Sequence, residues 1–157
     1  MKGNDKIIDA LNKALTDELT AINQYMVHSE MCDGWGFGIL HEKVEKRAIE
    51  EMKHAESLIG RILFLEGLPT VSKLNPIHIG KTVPEQFKND LAAEIGAIKN
   101  YQDFITICLE VGDAGSRELL EGILQDEEEH ADWLEAQLEQ INQMSLENYL
   151  AVQMKNA

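Results

Sequence analysis

The sequence is poor in residues that break or cross-link a chain. Its three prolines, Pro69, Pro76 and Pro84, fall close together, so long stretches on either side are free to be helical. Cys32 and Cys108 are the two cysteines; they lie in no metal-binding or redox spacing and are too few for a disulfide framework. Aromatic residues make up only 6%, and the balance of leucine, isoleucine, alanine, glutamate and lysine favours helix over strand. Basic residues are outnumbered, 14 against 28 acidic, for a net charge of −14. No basic patch is present to meet a nucleic acid. An acidic surface gathers cations and repels anions, although like charge also simply keeps soluble chains apart. No run is long and apolar enough to span a bilayer, and none follows Met1-Lys2-Gly3-Asn4-Asp5-Lys6 as in a signal peptide. The expectation is a cytoplasmic protein with neither membrane nor nucleic acid as partner.

Against these absences stand 157 residues, 44% of them hydrophobic, enough for one domain over 1–157 with a substantial core. Apolar residues recur at helical spacing from Ile7 to about Cys32, where Gly34 suits a left-handed stop. A second run goes from about Ile39 to Leu65, and residues 68–81 are irregular. Thr82-Val83-Pro84-Glu85 reads as a capping box with proline just inside the start. A third run reaches Val111 and stops at Gly112. Ser116 is a candidate cap for a fourth, ending near Met144, and Ser145 for a short fifth from Leu146 to Gln153. Helices of about 25 residues are about 37 Å long, and four of them bury their apolar stripes best against one another. Short turns near 34 and 113 and one long middle connection predict an all-α, ferritin-like four-helix bundle with one long crossover and a short fifth C-terminal helix.

One glutamate interrupts each apolar stripe. Glu18 follows Ile8, Leu11 and Leu15. Glu51 lies between Val44, Ala48 and Ala55, Leu58. Glu94 follows Phe87 and Leu91, and Glu127 follows Leu120 and Leu124. A buried, unpaired carboxylate costs several kcal/mol, and no lysine or arginine falls on these stripes nearby. His54 and His130 sit three residues after Glu51 and Glu127, on the same side of their helices. The set Glu18, Glu51, His54 recurs 76 residues later as Glu94, Glu127, His130, and Tyr25 and Tyr101 share that offset. A lone Glu-x-x-His is more often a solvated pair than a ligand pair. Two matched sets on core stripes point instead to two divalent cations. Carboxylates with imidazole and no thiolate suit iron or manganese; structural zinc favours cysteine, and calcium has no need of histidine.

Several longer segments carry a resemblance: Met1-Lys2-Gly3, Ala21-Ile22-Asn23-Gln24-Tyr25, Glu51-Met52-Lys53-His54-Ala55, Arg61-Ile62-Leu63-Phe64-Leu65-Glu66-Gly67-Leu68-Pro69, Asp126-Glu127-Glu128-Glu129-His130 and Glu147-Asn148-Tyr149-Leu150. In these, and nearly end to end, the chain resembles the bacterioferritins. The resemblance implies a ferroxidase, an Fe(II):oxygen oxidoreductase using O2 or H2O2 at a di-iron centre. Glu18 and Glu94 would be terminal carboxylates, Glu51 and Glu127 bridges, and His54 and His130 one ligand to each iron. Tyr25 would support the site by hydrogen bonding. It further implies a homo-oligomeric cage of twenty-four subunits, built from two-fold dimers and storing ferric mineral. A b-type haem would sit between two Met52 thioethers at the dimer interface, with a ferredoxin or reductase supplying electrons for iron release.

Met52 lies about 100° round the helix from Glu51, in a second apolar row with Ile49, Ile59 and Leu63. From spacing alone a methionine there is more often packing than ligand, and such a row suits a dimer interface. Trp133 also matches a family position, with core packing as good an account of it. Some positions depart from the pattern. Lys46 and Glu50 stand where members with an extra inner-surface iron site carry His and Asp, which argues against that site. Leu58 replaces a tyrosine seen near the centre in some members. His28, His41 and His78 have no matched partners and read as surface or packing residues. Two other readings are a di-iron peroxidase, whose relatives carry a Cys-rich domain absent here, and a helical interaction module with incidental glutamates.

Overall fold

A computed structural model describes residues 1–155; the last two residues of the expected domain lie outside the described residues. Four long helices, α1 (Asp5–Gly34), α2 (Gly38–Phe64), α3 (Val83–Val111) and α4 (Ala114–Met144), are followed by a short α5 (Leu146–Ala151). The most extensive packing is α1 on α2 and α3 on α4, two antiparallel hairpins that meet chiefly through α1 and α3. This is the ferritin-like four-helix bundle, with residues 65–82 as its long crossover.

The helix ends follow local chemistry, with several differences from expectation. The stop after α1 is not at Gly34, which is still helical. The left-handed residue is Gly36, at φ 86°, and the Phe37 N–H closes the turn on Cys32 O at 2.9 Å. At α4 the cap is Asp113 rather than Ser116. The Asp113 carboxylate accepts from Ser116 N at 2.9 Å and from Ser116 Oγ at 2.7 Å, so the serine is drawn inside the first turn and fully buried. Ser145 gives α5 no side-chain cap, and that helix ends at Ala151, two residues early. The capping box at α3 is partly realised. Thr82 Oγ1 accepts from Glu85 N, but the Glu85 carboxylate reaches Lys81 N instead of Thr82 N.

The crossover is irregular yet anchored. Its backbone polar groups need partners once it lies on the bundle, and α1 supplies them from residues four or eight apart. Asn12 bonds Leu68 O and Thr70 N, Thr20 accepts from Asn75 N, Gln24 from His78 N, and His28 Nε2 from Gly80 N. A Cβ at Gly80 would lie 2.4 Å from Gln86 N, so only glycine permits this docking.

Two apolar clusters fill the bundle. One gathers Ile7, Leu11, Leu15, Leu58, Ile62, Tyr101, Phe104 and Leu120. The other gathers Cys32, Leu40, Val83, Phe87, Leu134 and Tyr149, which α5 inserts with its hydroxyl on Gln137 Oε1 at 2.6 Å. On every long helix the interrupting glutamate falls between residues of the first cluster and residues of the second. A polar layer therefore divides the core.

Candidate metal centre

All six sequence-predicted ligands meet in that layer. Glu18, Glu51 and Glu94 are each 1% exposed, Glu127 2%, His130 5% and His54 8%. They form two sets whose ligating atoms lie within 4.8 Å of one another: Glu18, Glu51, His54, Glu127, and Glu51, Glu94, Glu127, His130. Glu51 and Glu127 belong to both. Glu51 turns Oε2 to His54 Nδ1 at 3.5 Å and Oε1 to His130 Nδ1 at 3.0 Å; Glu127 turns Oε1 to His54 Nδ1 at 3.2 Å and Oε2 to His130 Nδ1 at 3.9 Å. Each of these two carboxylates thus offers one oxygen to each half.

Glu18 and Glu94 are held differently. The Tyr101 hydroxyl donates to Glu18 Oε1 at 2.5 Å, and the Tyr25 hydroxyl donates to Glu94 Oε1. In each case Oε2 is left free and buried. Each of the six residues leaves one such atom without a hydrogen bond: Glu18 Oε2, Glu51 Oε1, His54 Nδ1, Glu94 Oε2, Glu127 Oε1 and His130 Nδ1. Native cores leave few buried polar atoms unpaired. Six converging at one point suit two divalent cations in donor type and placement. The residues fit two ions of the kind expected.

The imidazoles are oriented from behind. His54 Nε2 lies 2.7 Å from Asp126 Oδ2, and His130 Nε2 lies 2.6 Å from Glu50 Oε2. A carboxylate on the outer nitrogen fixes the proton there and turns the Nδ1 lone pair inward, as is usual for metal-bound histidine. Sequence reasoning noted Tyr101 only as a repeat, treated Glu50 only as a departure, and gave Asp126 no role. The 76-residue offset contained the signal, since it also relates Glu50 to Asp126.

Burial and crowding favour protons on most of this cluster. Burial pushes Glu18 and Glu127 well above the usual carboxylate range, and neighbouring Glu51 adds to both shifts. Burial also acts to raise Glu51, but its close contacts with Glu18, His130 and His54 outweigh it and hold that carboxyl low. Burial pulls His54 down, yet Glu127, Glu18 and Glu51 together raise it far above an ordinary imidazole. The same contest at His130, with Glu51 and Glu94 raising and Arg47 opposing, leaves it up at about 9. Arg47 is buried, with its guanidinium 5.0 Å over the Trp133 ring; Trp133 also packs edge-on against Phe87.

A cavity of about 330 Å³ reaches this layer between α1 and α3. Small residues of α3, Ala92, Ala93, Gly96 and Ala97, make the room, while Asp17, Asn75, His78, Asn89 and Asn100 add polar walls beside Glu18, Glu51, Glu94 and Glu127. Asp17 Oδ1 and Oδ2 accept from Asn75 and Asn100 at 2.7 and 3.0 Å. Burial raises its carboxyl despite those bonds.

Met52 is not part of the cluster. It is 46% exposed on the outer face of α2, in a groove with Ile22, Met26 and Ile49. Ile49 and Leu63 of its row are exposed as well, whereas Ile59 packs partly onto the core. Leu58 is a fully buried core residue. Of the unmatched histidines, His28 is buried against Asp90 at 2.9 Å, His41 packs on Ser29, and His78 is exposed.

Comparison with known proteins agrees with this geometry. The profile of the ferritin-like domain matches residues 8–144. The chain is 44% identical to a bacterioferritin of Mycolicibacterium paratuberculosis over 151 residues, 96% of this chain and 95% of that one. It is 46% identical to a bacterioferritin of Rhodobacter capsulatus over 138 residues, 88% and 86% of the two chains, and 42% identical to one of Brucella melitensis over 149 residues, 95% and 92%. With most of its length matched at this level, and two sets of converging ligands in a ferritin-like bundle, the chain belongs to the bacterioferritins.

Proposed function

We propose that this protein stores iron and acts as a ferroxidase, taking up ferrous ions at the buried centre and passing them on as ferric iron. The observation that carries this reading is the convergence of six unpartnered ligand atoms in a layer the apolar core would otherwise fill. Two irons bound there would supply the electrons that reduce O2 or H2O2. Glu18, Glu51, His54 and Glu127 would hold one, and Glu94, Glu51, Glu127 and His130 the other. Glu51 and Glu127 would bridge. Tyr25 and Tyr101 would leave the carboxylates they bond one oxygen each for metal.

The chain's own residues prepare the chemistry. The apolar clusters on either side exclude water, which strengthens every electrostatic contact between them. Asp126 and Glu50 keep the imidazoles in the metal-binding tautomer. Ferrous ions would displace the protons that the cluster holds without metal. The cavity between α1 and α3 gives a short route from the surface to the glutamates, and its Asp17 and amide walls would replace water around an entering cation.

The same reading assigns Met52 to a b-type haem shared by two copies across a two-fold axis. What supports it is an exposed thioether in an apolar groove of about 340 Å³ on a face a monomer would have no reason to keep apolar. The haem would serve electron transfer into the stored mineral, with a ferredoxin or reductase as donor. Assembly would be a twenty-four-subunit cage of a single domain per chain. Among the described residues no helix is long and apolar enough to cross a membrane, and the cytoplasm is the proposed location.

The test is the iron-to-protein ratio after aerobic ferrous loading of the assembled protein. Thousands of irons per assembly are expected. About two per chain would show an isolated centre and overturn the storage role. Native mass measurement on the same sample separates a cage from a small oligomer.

A further inference from the structure

A second group of metal-type donors lies outside the bundle core, where α1 and α2 run side by side. Glu30 of α1 and His41 and Glu45 of α2 place one ligating atom each within 4.8 Å of one another. His41 and Glu45 are one helical turn apart, so they share a face. The face belongs to the groove that also holds Met52, whose rim includes Glu30 and Glu45.

The ring of His41 is fixed by α1. Its Nδ1 lies 3.0 Å from Ser29 O and 2.9 Å from Ser29 Oγ. A backbone carbonyl can only accept, so Nδ1 carries the proton and Nε2 is left with the lone pair. A histidine ligand held by a hydrogen bond to a carbonyl is the usual arrangement in metal sites. Nε2 then faces Glu45 Oε2 at 3.6 Å. That separation is too long for a hydrogen bond. It is the spacing of two ligands on one ion, since metal–ligand bonds of about 2.0–2.2 Å set tetrahedral donors roughly 3.3–3.6 Å apart. Among the described residues no lysine or arginine pairs with Glu30 or Glu45, so two carboxylates from neighbouring helices converge with only an imidazole between them.

We propose that Glu30, His41 and Glu45 form a third, mononuclear site for a divalent transition-metal ion, separate from the buried pair. One imidazole and two carboxylates suit ferrous iron, cobalt or zinc rather than calcium or magnesium. Three protein ligands leave further positions to water, so the ion exchanges readily. The site would hold metal on the outer face, beside the groove of Met52, rather than in the core. The site is made by these three residues and Ser29 alone, whether or not the groove holds haem.

The experiment is cobalt soaking of crystals of the intact assembly, with anomalous scattering recorded at the cobalt edge. Wild type should show three peaks per chain, two in the core and one between His41 Nε2, Glu30 and Glu45. His41→Ala should lose the third peak and keep the core pair. Glu45→Gln, which removes charge at an exposed position and spares the Ser29 contact, should lower its occupancy at least fivefold. In solution, cobalt titration should fall from three ions per chain to two in His41→Ala. Filled core sites with no peak at His41 would overturn the proposal and leave a protonated imidazole bridging two carboxylates. A peak that survives in His41→Ala would overturn the ligand assignment.

Discussion

The two hairpins of this bundle agree inside and disagree outside. An offset of 76 residues carries Glu18, Tyr25, Glu50, Glu51 and His54 onto Glu94, Tyr101, Asp126, Glu127 and His130. The same offset carries Ile49, Met52, Ile59 and Leu63 onto Gln125, Glu128, Glu135 and Glu139. The second set is exposed and acidic or amide throughout. The polar residues of α1 that hold the crossover, Asn12, Thr20, Gln24 and His28, become Lys88, Gly96, Asn100 and Phe104. A centre for two cations of one kind would need two equal ligand sets, which would account for the symmetry inside. The outer faces are free of that constraint, and they diverge. One outer face is acidic and amide-bearing, the other carries an apolar row.

The sharpest way to break this comparison is at Met52 and its counterpart. Met52→Leu is expected to abolish haem binding while assembly persists, and Glu128→Leu to leave haem content unchanged. The Soret absorbance of the purified assembly measures both. Haem at full occupancy in Met52→Leu would sink the assignment.

Inside, equal roles predict equal losses. Glu51→Ala and Glu127→Ala should each slow ferrous oxidation at least tenfold, about 1.4 kcal/mol or more in barrier, with the helical circular dichroism intact. Each change removes an oxygen from both ligand sets. Unchanged rates would contradict the site, and a large loss in only one variant would contradict its symmetry.

A smaller effect is expected one step out. Asp126→Asn and Glu50→Gln remove the charge behind each imidazole, and metal affinity should fall by up to about tenfold. The low end of the usual range applies, because these two side chains are 50% and 38% exposed and water can substitute in part. Titration of the metal-free protein with cobalt, read by its absorption, measures the change; no change in either variant would leave both carboxylates as solvated neighbours only.

The interior was legible from sequence because burying glutamate breaks a pattern. Four carboxylates on apolar stripes cannot be accounted for by packing, so the six candidate ligands stand out, and all six meet. The expectation for Met52 rests on resemblance alone, since an exposed methionine breaks no rule. Thr82 and Gly112 cap α3 as the sequence signals, but two other turn signals point to the wrong residue. Gly34 and Ser116 are good capping types, but Gly36 and Asp113 win because the hydrogen bonds close there. The α1 residues that hold the crossover were invisible, since Asn12, Thr20, Gln24 and His28 read as an ordinary polar face until the crossover lies on it. The cavity came from Ala92, Ala93, Gly96 and Ala97, small residues that periodicity counts as neutral.

The interior also makes a prediction about acidity, where the sign follows from the groups themselves. In the metal-free protein His54 and His130 are raised above their ordinary 6.5, His130 to about 9. Their contribution to stability is complete below 6.5 and is lost as pH rises through the folded value. Glu18 and Glu127 are raised above 4.5 and act in the same sense, losing stability as pH climbs. Glu51 is depressed and acts the opposite way, but only in strong acid, outside the range that matters. Metal-free protein should therefore become less stable from pH 6 to pH 9. Bound cations replace those protons and compete with them less as pH rises. The gap in Tm between zinc-loaded and metal-free protein should widen by several degrees across that range, each kcal/mol being worth about 2–4 °C for a chain of this size. Scanning calorimetry at matched ionic strength measures it. A gap constant with pH would mean that the cations displace no protons, and the carboxylates were ionised in the core all along.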